Sequence, residues 1–480
     1  MPEQDRANAL LQQGIERAKA GEIDEAMRLF DEALDVVPEN PVVNYNRVLA
    51  QQQVGSIEAA IVAYRAATEV LPDFTEAWIN LSHALKLLGR FSAAQEAAEK
   101  AIQLDAGLPS AWLAKGNALR GRHALGQAAE AFRRGVEVAP ADGELKVSLA
   151  NTTREIGQVP EAIQLLREAV GEHPEFAEAH RDLAHALLLN GEYREGWVEN
   201  RWRWGTGSLQ YTKRHQTIPE WTGQPLTGKR ILVWDEQGFG DAIQFVRFVP
   251  WVAEMGAEVV LETQPELVRL FETVNGVNEV MPRGGSMPQA DYQVSLLDLG
   301  GVFCSDPSSI PNAAPYLHAE RDSRPAAGHR LKVGLCWAGN PNHDNDRNRS
   351  LDFELLRPLL EMPRIDFISL QVGSGAEVVP ADSNMKQSLG NPVDFLDTAR
   401  LVATLDLVIS IDSSVAHLTG ALGQPVWVLL PYAPDWRWLL GRDDSPWYPN
   451  AALYRQQKPG DWSGPIREIS KKIEGLSGPN

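Results

Sequence analysis

Glycine recurs at a fixed spacing of 34 residues through the N-terminal part of the chain, at Gly21, Gly55, Gly89, Gly157 and Gly191. His123 stands in the vacant position of this series. Two alanine series and one proline series keep the same step: Ala26, Ala60, Ala94, Ala128 and Ala162, then Ala33, Ala67, Ala101 and Ala169, then Pro38, Pro72, Pro140 and Pro174. A period of this length is typical of solenoids, in which each unit buries its apolar face against its neighbours.

The period and its pattern resemble the tetratricopeptide repeat, with Trp78 and Trp112 at its aromatic position. The resemblance covers residues 7–205 as six units. Each unit is then a pair of antiparallel helices, in which small alanines let the helices approach and glycine occupies the turn. The proline ends the second helix. We therefore predict a repeat solenoid over residues 1–205.

Two mostly polar positions, three residues apart in the first helix of each unit, share one face. The resemblance places that face on the concave surface of the solenoid. One position holds Gln12, Asn46, Asn80, Ser148 and Asp182, with Ala114 breaking the set; the other holds His83, Asn117, Asn151 and His185. Asparagine both donates and accepts hydrogen bonds, so such a column can pair with an extended peptide backbone. The candidate groove comprises Asn46, Asn80, His83, Asn117 and Asn151. It predicts a polypeptide partner, although a solvated polar face fits equally well.

The last unit, GEYREGWVENRWRWG (191–205), carries Trp197, Trp202 and Trp204 on its second helix. An aromatic face of this kind buries well against a neighbouring domain, so we predict that this unit couples the solenoid rigidly to the domain after it. A polar linker rich in proline and glycine is expected over residues 206–229.

From Arg230 the chain alternates short apolar runs with helical patterns. The predicted strands are RILVWD, AEVVLET, NEVMPR and DYQVSLLDL, and then LKVGLCWAG, DFISLQV, DLVISID and QPVWVLL. Helical patterns lie between them, and AIQFVRFVPWVAEMG has a kink at its proline. This alternation predicts two doubly wound α/β domains with parallel sheets, over residues 230–325 and 330–460, followed by a C-terminal helix in 461–480.

Composition restricts the partners and the compartment. The net charge at pH 7 is -19, which disfavours broad binding to nucleic acid or to anionic lipid. Two cysteines, Cys304 and Cys336, are too few for a disulfide framework. An apolar run long enough to span a membrane is absent from the sequence, and the N-terminus lacks the apolar core of a secretion signal. A cytoplasmic protein is expected.

The loop GFGDAI supplies Gly238 and Gly240 after the first predicted strand, but Ile243 stands where a dinucleotide fingerprint has its third glycine. Glu262, at the end of the next strand, can act as the acid that binds ribose. An NAD-dependent oxidoreductase therefore stays open as an alternative. The sequence lacks a P-loop, which argues against an NTPase.

Three stretches, ILVWDEQGFGDAIQFVRFVP, VGLCWAGNP and ISIDSSVAHLTGALGQPVWVLL, resemble the heptosyltransferase-type (family 9) glycosyltransferases of GT-B architecture, in the branch fused to tetratricopeptide repeats. The resemblance spans residues 225–475. It implies two facing Rossmann-like domains that move a sugar from a nucleotide donor to an acceptor hydroxyl, with the donor in the C-terminal half. It implies no metal and no cofactor beyond the nucleotide sugar, a polypeptide acceptor selected by the repeats, and a last helix that crosses back to the first sheet domain.

The donor site is predicted at the junction ISIDSSVAHL, where a strand ends at Asp412 and a helix starts at once. Amides of Ser413, Ser414 and Val415 at the start of a helix can bind a diphosphate without a cation. His417, one turn on, can donate to sugar or phosphate. Asp412 is expected to accept from ribose hydroxyls or to fix the loop. The alternative is that Asp412 or Ser413 only caps the helix.

A second part of the donor site is predicted in WAGNPNHDNDRNRSL (337–351), at the same edge of the sheet. Arg347 and Arg349 supply fixed positive charge for a leaving diphosphate, where the family places a lysine, and Asn340 joins the donor-binding set. The triplet Asp344-Asn345-Asp346 imitates a metal-binding motif but lies among arginines, so we do not expect a metal site.

Asp241 matches the family's catalytic aspartate after glycine, and is the predicted base that takes the proton of the acceptor. A helix N-cap is the competing role, and the two are compatible. The acceptor side of the predicted cleft comprises Gln237, Gly238, Gly240 and Gln244. A repeat adaptor with a degenerate, non-catalytic transferase module is the remaining alternative.

Overall fold

The computed structural model describes residues 3–38, 40–51, 57–207, 209, 213–320, 330–343, 345–373, 379, 385–387 and 393–476. The chain divides into two compact units, Met1–Ala179 and His180–Asn480. No helix within the described ranges combines the length and the apolar character that crossing a bilayer requires. Gly55 of the glycine series and Asp344 of the acidic triplet lie outside the described residues.

Consecutive helix pairs build the first unit, as the repeat predicts. The pairs are α1 (Glu3–Lys19) and α2 (Ile23–Val36), α3 (Pro41–Gln51) and α4 (Ile57–Val70), α5 (Thr75–Leu87) and α6 (Phe91–Leu104), α7 (Pro109–Gly121) and α8 (Leu125–Val138), and α9 (Gly143–Glu155) and α10 (Val159–Glu172). The described alanines of both series are buried between the helices. A sixth pair, α11 (Ala177–Leu189) and α12 (Tyr193–Asn200), follows, and the division between the units falls inside α11.

The repeat is visible in single contacts. The indole of Trp78 donates to the carbonyl of Pro72 at 2.9 Å, and that of Trp112 donates to the carbonyl of Ala106 at the same distance, one repeat later. Gly21 ends its helix in the left-handed region, at φ 80°, where glycine has no steric penalty. His123 adopts φ 58° in the glycine position of its repeat, so the turn is kept without the glycine.

A four-stranded sheet forms the first α/β part of the second unit. Its strands are β1 (Arg230–Trp234), β2 (Glu258–Thr263), β3 (Val277–Pro282) and β4 (Tyr292–Ser295), in the order β3-β2-β1-β4 and all parallel. The helices that accompany them are α13 (Phe239–Phe245), α14 (Val249–Glu254), α15 (Val268–Phe271) and α16 (Leu296–Phe303).

A six-stranded parallel sheet follows. Its strands are β5 (Leu331–Cys336), β6 (Ile365–Ser369), β7 (Met385–Gln387), β8 (Leu407–Ile411), β9 (Val426–Leu430) and β10 (Ala451–Arg455), in the order β10-β9-β8-β5-β6-β7. The helices are α17 (Asp346–Arg349), α18 (Arg357–Leu360), α19 (Phe395–Ala403), α20 (Ser414–Ala421) and α21 (Ser463–Leu476). The predicted parallel α/β architecture is confirmed.

Both sheets reverse their direction of winding at their first strand. In the first sheet β1 lies between β2 and β4, and in the second sheet β5 lies between β6 and β8. Open parallel sheets bind ligands at this reversal, outside the carboxyl ends of the strands. The loops that leave β1, β5 and β8 are therefore the places where a site is expected.

In the first α/β part, two predicted elements differ from the structure. The run DYQVSLLDL is a strand only as far as Ser295, whose hydroxyl accepts from the amide of Asp298 at 3.2 Å and starts α16. The long helical pattern after Gly240 breaks into α13, a 3-10 turn and α14 around Pro250, because proline cannot donate a helical hydrogen bond.

The C-terminal helix packs on the second sheet. Ile466, Ile469 and Ile473 of α21 are buried in one cluster with Val333 of β5 and Tyr454 of β10. The prediction that this helix crosses back to the first sheet is therefore wrong for the described residues Ser463–Leu476.

Candidate functional site

The corner between β8 and α20 leaves the start of the helix uncapped by its own side chain. Ser413 occupies the N-cap position at φ -149° and makes no side-chain capping hydrogen bond. Its hydroxyl lies 2.9 Å from the hydroxyl of Ser410 and 3.7 Å from the thiol of Cys336 instead. The predicted alternative, in which Ser413 caps the helix, is therefore not adopted. The first amides of a helix have no partner within the helix, so those of Ser413, Ser414 and Val415 can bind an anion.

Asp412 and His417 lie side by side at this corner. Oδ1 of Asp412 is 3.8 Å from Nε2 of His417, whose Nδ1 is 2.8 Å from the hydroxyl of Tyr448. The imidazole also stacks on Trp438 at 5.4 Å. Burial and the charge of Arg437 lower the pKa of His417 to about 3, so its ring is neutral at pH 7. Burial and the nearby carboxylate of Asp435 raise the pKa of Asp412 to about 6.

Arg349 is the cation of the second cluster that reaches the corner. Its Nη1 donates to the backbone carbonyl of Asp412 at 3.2 Å, and its Nε donates to Asp346 at 3.3 Å. Arg347 is exposed on the same short helix, and Asn340 is exposed with its side-chain oxygen accepting from the amide of Asn342 at 3.0 Å. The structure thus brings Arg349 to the predicted donor site, whereas Asn340 stabilises its own turn.

Gln371 fixes the loop that leaves β5. Its Oε1 accepts from the amides of Trp337 and Ala338 at 3.1 and 3.0 Å, and its Nε2 donates to the carbonyl of Ala338 at 2.9 Å. This residue was not predicted from the sequence. The available signal in the sequence was a polar amide side chain near the end of the apolar run DFISLQV.

The start of α13 meets the start of α20. A Cβ atom at Gly240 would lie 2.9 Å from Cδ2 of His417 and 3.6 Å from Cα of Ser414. Asp241 therefore lies one residue from the contact between the two helix starts. Its Oδ2 accepts from the amide of Gly238 at 3.0 Å, so Asp241 stabilises the start of α13 from the third helical position, whereas the N-cap position predicted for it is held by Gly238.

Arg437 connects Asp241 to the second sheet. Its guanidinium donates to Asp241 through Nη2, and to Asp435 through Nη1 at 2.7 Å, and it lies over the ring of Trp436 at 4.3 Å. The side chain is buried, and the two carboxylates outweigh burial and raise its pKa. From the sequence, only the tryptophans of this segment were candidates, and the arginine between them was missed.

The acceptor side is only partly as predicted. Gly238 and Gln237 lie in the loop before α13, where the carbonyl of Gln237 accepts from Gln264 at 3.1 Å. Gln244 is fully buried on α13, so the prediction that it contacts an acceptor is wrong.

Glu262, the predicted ribose acid of the oxidoreductase alternative, is occupied by the protein. Its carboxylate accepts from Arg214 at 2.9 Å and lies 2.7 Å from Nε2 of His215, and the residue is buried. A ribose hydroxyl would have to displace both partners.

The sixth repeat packs on the α/β part through aromatic and ionic contacts. The Trp197 ring lies edge-on to Phe245 at 6.0 Å and to Trp436 at 5.5 Å. Arg203 forms a buried ion pair with Glu236 at 2.9 Å and reaches Asp298 at the same distance. Trp197 and Trp204 therefore pack against the α/β part, as predicted, and Trp204 lies 5.5 Å from Trp234. Trp202 instead stacks on His180 of the same repeat at 4.1 Å, and both Trp202 and Trp204 lie in the 3-10 turn Arg201–Gly205 rather than on α12.

The groove residues of the first unit lie on the successive first helices α3, α5, α7 and α9. Asn46 donates to the carbonyl of Val42 at 2.8 Å, and Asn80 donates to the hydroxyl of Tyr45. His83 is exposed, whereas Asn117 and Asn151 are half-buried. Two of the predicted asparagines therefore direct an amide hydrogen into the solenoid itself.

Comparisons with known proteins support the repeats. Two tetratricopeptide repeat family models match residues 75–107 and 154–196. Protein FlbA of Caulobacter vibrioides is 26% identical over 327 residues, which are 60% of this chain and 54% of FlbA. The chain thus spans about half the length of this curated relative.

Among solved structures, a thermophilic tetratricopeptide repeat protein of Thermus thermophilus is 20% identical. The match covers 38% of this chain and 99% of that chain, with a TM-score of 0.34. MamA of Desulfovibrio magneticus RS-1 is 16% identical over 36% of this chain and 97% of its own, with a TM-score of 0.33. The chain contains tetratricopeptide repeats, as predicted.

Proposed function

We propose that this protein is a glycosyltransferase of GT-B architecture, which moves a sugar from a nucleotide-sugar donor to a hydroxyl of a polypeptide held by the repeats. One observation carries the proposal. The starts of α13 and α20 meet at Gly240, beside the reversal points of the two sheets, where ligands of open parallel sheets bind.

The start of α20 supplies the donor site. A diphosphate placed on the amides of Ser413, Ser414 and Val415 meets the positive end of the helix, and Arg349 adds a guanidinium at the same corner. His417 is neutral at pH 7 and donates one hydrogen bond without competing for the cations. Asp412 accepts from ribose hydroxyls.

Transfer then needs one proton acceptor. Asp241 takes the proton of the acceptor hydroxyl while that oxygen bonds to the anomeric carbon of the sugar. The bond from this carbon to the diphosphate oxygen breaks, and its electron pair leaves with the nucleotide diphosphate. Attack from the side opposite the leaving group inverts the configuration of the sugar.

The repeats select the acceptor in this proposal. Tetratricopeptide repeats are stacked helix pairs with a concave surface that suits an extended polypeptide. His83, Asn117 and Asn151 lie on three successive first helices, and their polar atoms can pair with a peptide backbone whatever its side chains.

A second function is favoured by one specific contact. Both carboxylate oxygens of Asp241 already accept hydrogen bonds, one from Arg437 and one from the amide of Gly238. A carboxylate held in this way suits a repeat adaptor whose transferase module no longer turns over. Such an adaptor would keep its cellular role in an Asp241→Ala variant.

Thermal unfolding with UDP, GDP, ADP and CMP, and with sugars of these nucleotides, tests the donor site. A ligand that binds only the folded state at 100 times its Kd stabilises it by about 2.7 kcal/mol. We expect one nucleotide class to raise the Tm of the full chain. The double variant Ser413→Phe, Ser414→Phe should lose that shift, while Ser286→Phe, in an exposed loop, should keep it. A chain that responds to NAD but to none of these nucleotides contradicts the proposal.

A further inference from the structure

We propose that Arg437 changes partners when the donor binds: its guanidinium leaves Asp241 for the diphosphate, and this frees Asp241 to take the proton of the acceptor. The inference rests on the proposed function, since it concerns the same site. It assigns a role to an arginine that lies outside every predicted set of site residues.

One terminal nitrogen of Arg437 bonds within its own segment of the chain, and the other bonds to a residue on α13. Asp435 accepts both from Nη1 at 2.7 Å and from the backbone amide of Arg437 at 3.0 Å, and the ring of Trp436 supports the guanidinium from below at 4.3 Å. These contacts come from the same short segment as the arginine. The remaining nitrogen, Nη2, reaches Asp241 on α13. The contact of Asp435 with the backbone amide does not depend on the guanidinium, so it is kept when Nη2 changes partner.

The diphosphate would bind beside Asp241, the present partner of Nη2. Gly240 contacts the start of α20, and Asp241 is the next residue in the chain. A diphosphate on the first amides of α20 would therefore bind close to Asp241. A buried guanidinium must keep a counter-charge, because an unpaired buried ion is strongly disfavoured. A diphosphate carries more negative charge than one carboxylate and accepts two hydrogen bonds from the planar guanidinium. It is therefore the stronger partner for Nη2.

The exchange orders the reaction. In the free protein both oxygens of the Asp241 carboxylate accept hydrogen bonds, Oδ1 from Arg437 and Oδ2 from the amide of Gly238. Once the diphosphate has taken the guanidinium, Oδ1 can accept the hydrogen of the acceptor hydroxyl. Donor binding thus prepares the base for the acceptor hydroxyl, and Arg437 stabilises the charge that grows on the leaving diphosphate.

Isothermal titration calorimetry of the full chain with inorganic pyrophosphate tests this, in buffers of different ionisation enthalpy near about pH 5.5. A carboxylate that loses its cation takes up protons, and the heat then depends on the buffer. We expect the wild type to take up more protons than Asp241→Asn, by up to one proton per site. Asparagine keeps an oxygen that can accept from the amide of Gly238, so the start of α13 is retained.

Other charged groups of the site must be separated from Asp241. Arg437 and Asp435 come from the segment 435–438, Asp412 and His417 from the corner of α20, and Arg349 from α17. Asp412→Asn should reduce the proton uptake by its own share and leave the difference between the wild type and Asp241→Asn in place.

Arg437 itself is tested by Arg437→Gln and Arg437→Lys. We expect Arg437→Gln to weaken pyrophosphate binding about tenfold or more and to remove the part of the proton uptake that depends on Asp241. Arg437→Lys, which keeps the positive charge but loses the forked guanidinium, should retain part of the affinity. If Arg437→Gln fails to fold, the comparison of the wild type with Asp241→Asn still decides, because Arg437 is intact in both.

Three results overturn the inference. Equal proton uptake by the wild type and Asp241→Asn shows that Arg437 stays on Asp241. Unchanged affinity in a folded Arg437→Gln variant shows that the arginine only supports the structure. Failure of pyrophosphate to bind the wild type removes the donor site and the partner exchange together, whereas binding without extra proton uptake removes the exchange alone.

Discussion

Asp412 is a carboxylate that the folded chain holds at a cost. Its pKa is raised to about 6 by burial and by Asp435, whereas a free aspartate has a pKa of about 4. The folded state therefore disfavours the ionised form. The penalty is absent below about pH 4 and fully present above about pH 6. A carboxylate whose ionisation destabilises the folded state would be replaced if selection acted on stability alone. Its presence beside a helix start is therefore typical of a group kept for binding.

Asp412→Asn should be more stable than the wild type at pH 7, by an amount on the order of 1 to 3 kcal/mol, because the penalty is removed. The advantage should disappear below about pH 4. Urea unfolding at a series of pH values measures it. Asp366→Asn is the control of opposite sign: Lys386 and Arg330 lower the pKa of Asp366, so this variant should lose stability at neutral pH. Lower stability of Asp412→Asn at every pH contradicts the expectation.

Single residues show what the sequence reveals and what it conceals. The glycine period marked His123 as a turn residue, and its left-handed φ of 58° agrees with that position. The run ISIDSSVAHL predicted the corner of α20 because strand and helix patterns meet there without a loop. Arg437 was not predictable, because its partner Asp241 lies 196 positions earlier in the chain, on a helix that accompanies the other sheet. Pairings of this kind depend on tertiary structure that no local pattern encodes.

At the scale of elements, the contact between α13 and α20 depends on one missing side chain. Gly240→Ala places a methyl group 2.9 Å from the ring of His417, which cannot retreat because it is held by Tyr448 and Trp438. We expect a loss of about 1 to 3 kcal/mol in the stability of the second unit, and weaker nucleotide binding, because the two helix starts must separate.

Gly238→Ala is the matched control for that substitution. An added Cβ there would meet only Oδ2 of Asp241, at 3.4 Å, and the backbone lies at φ -76°, which alanine adopts. Thermal unfolding measures the stability of both variants, and the rise of their Tm with nucleotide measures binding. Equal effects of the two substitutions would show that the close approach at Gly240 is unimportant.

Element prediction succeeded where one signal dominated and failed where two competed. Apolar runs such as DLVISID and QPVWVLL became buried strands, β8 and β9, because parallel strands are covered on both faces. In DYQVSLLDL the apolar run continued past Ser295, but the hydroxyl of Ser295 started a helix. The helical pattern LDFELLRPLLEM (351–362), which lies between β5 and β6, forms only a 3-10 turn and α18, with Pro358 near the start of α18.

For the whole molecule, the sixth repeat belongs with the α/β part, and this predicts where the chain can be cut. A fragment of residues 174–480 keeps α11, α12 and the ion pair of Arg203 with Glu236. A fragment of residues 206–480 loses the Trp197 side chain, whose burial contributes roughly 4–6 kcal/mol as an upper limit. It also leaves Glu236 without its cation, which costs about 3–5 kcal/mol.

We therefore expect the longer fragment to fold and to keep the nucleotide shift of the full chain, and the shorter one to aggregate. Circular dichroism, gel filtration and thermal unfolding compare the two. A stable, monomeric 206–480 fragment that binds nucleotide as well as the full chain would show that the contacts of Trp197 and Arg203 contribute little.

The boundary between the two units, inside α11, also predicts where the number of repeats can change. Recombination between the five upstream units would insert or delete whole 34-residue repeats, and each such event would add or remove one stacked helix pair. The pair that holds Trp197 and Arg203 cannot be exchanged in this way without exposing the surface it covers. Descendants of this gene are thus expected to vary in their number of stacked helix pairs, while the sixth pair and the two sheets downstream keep a constant length.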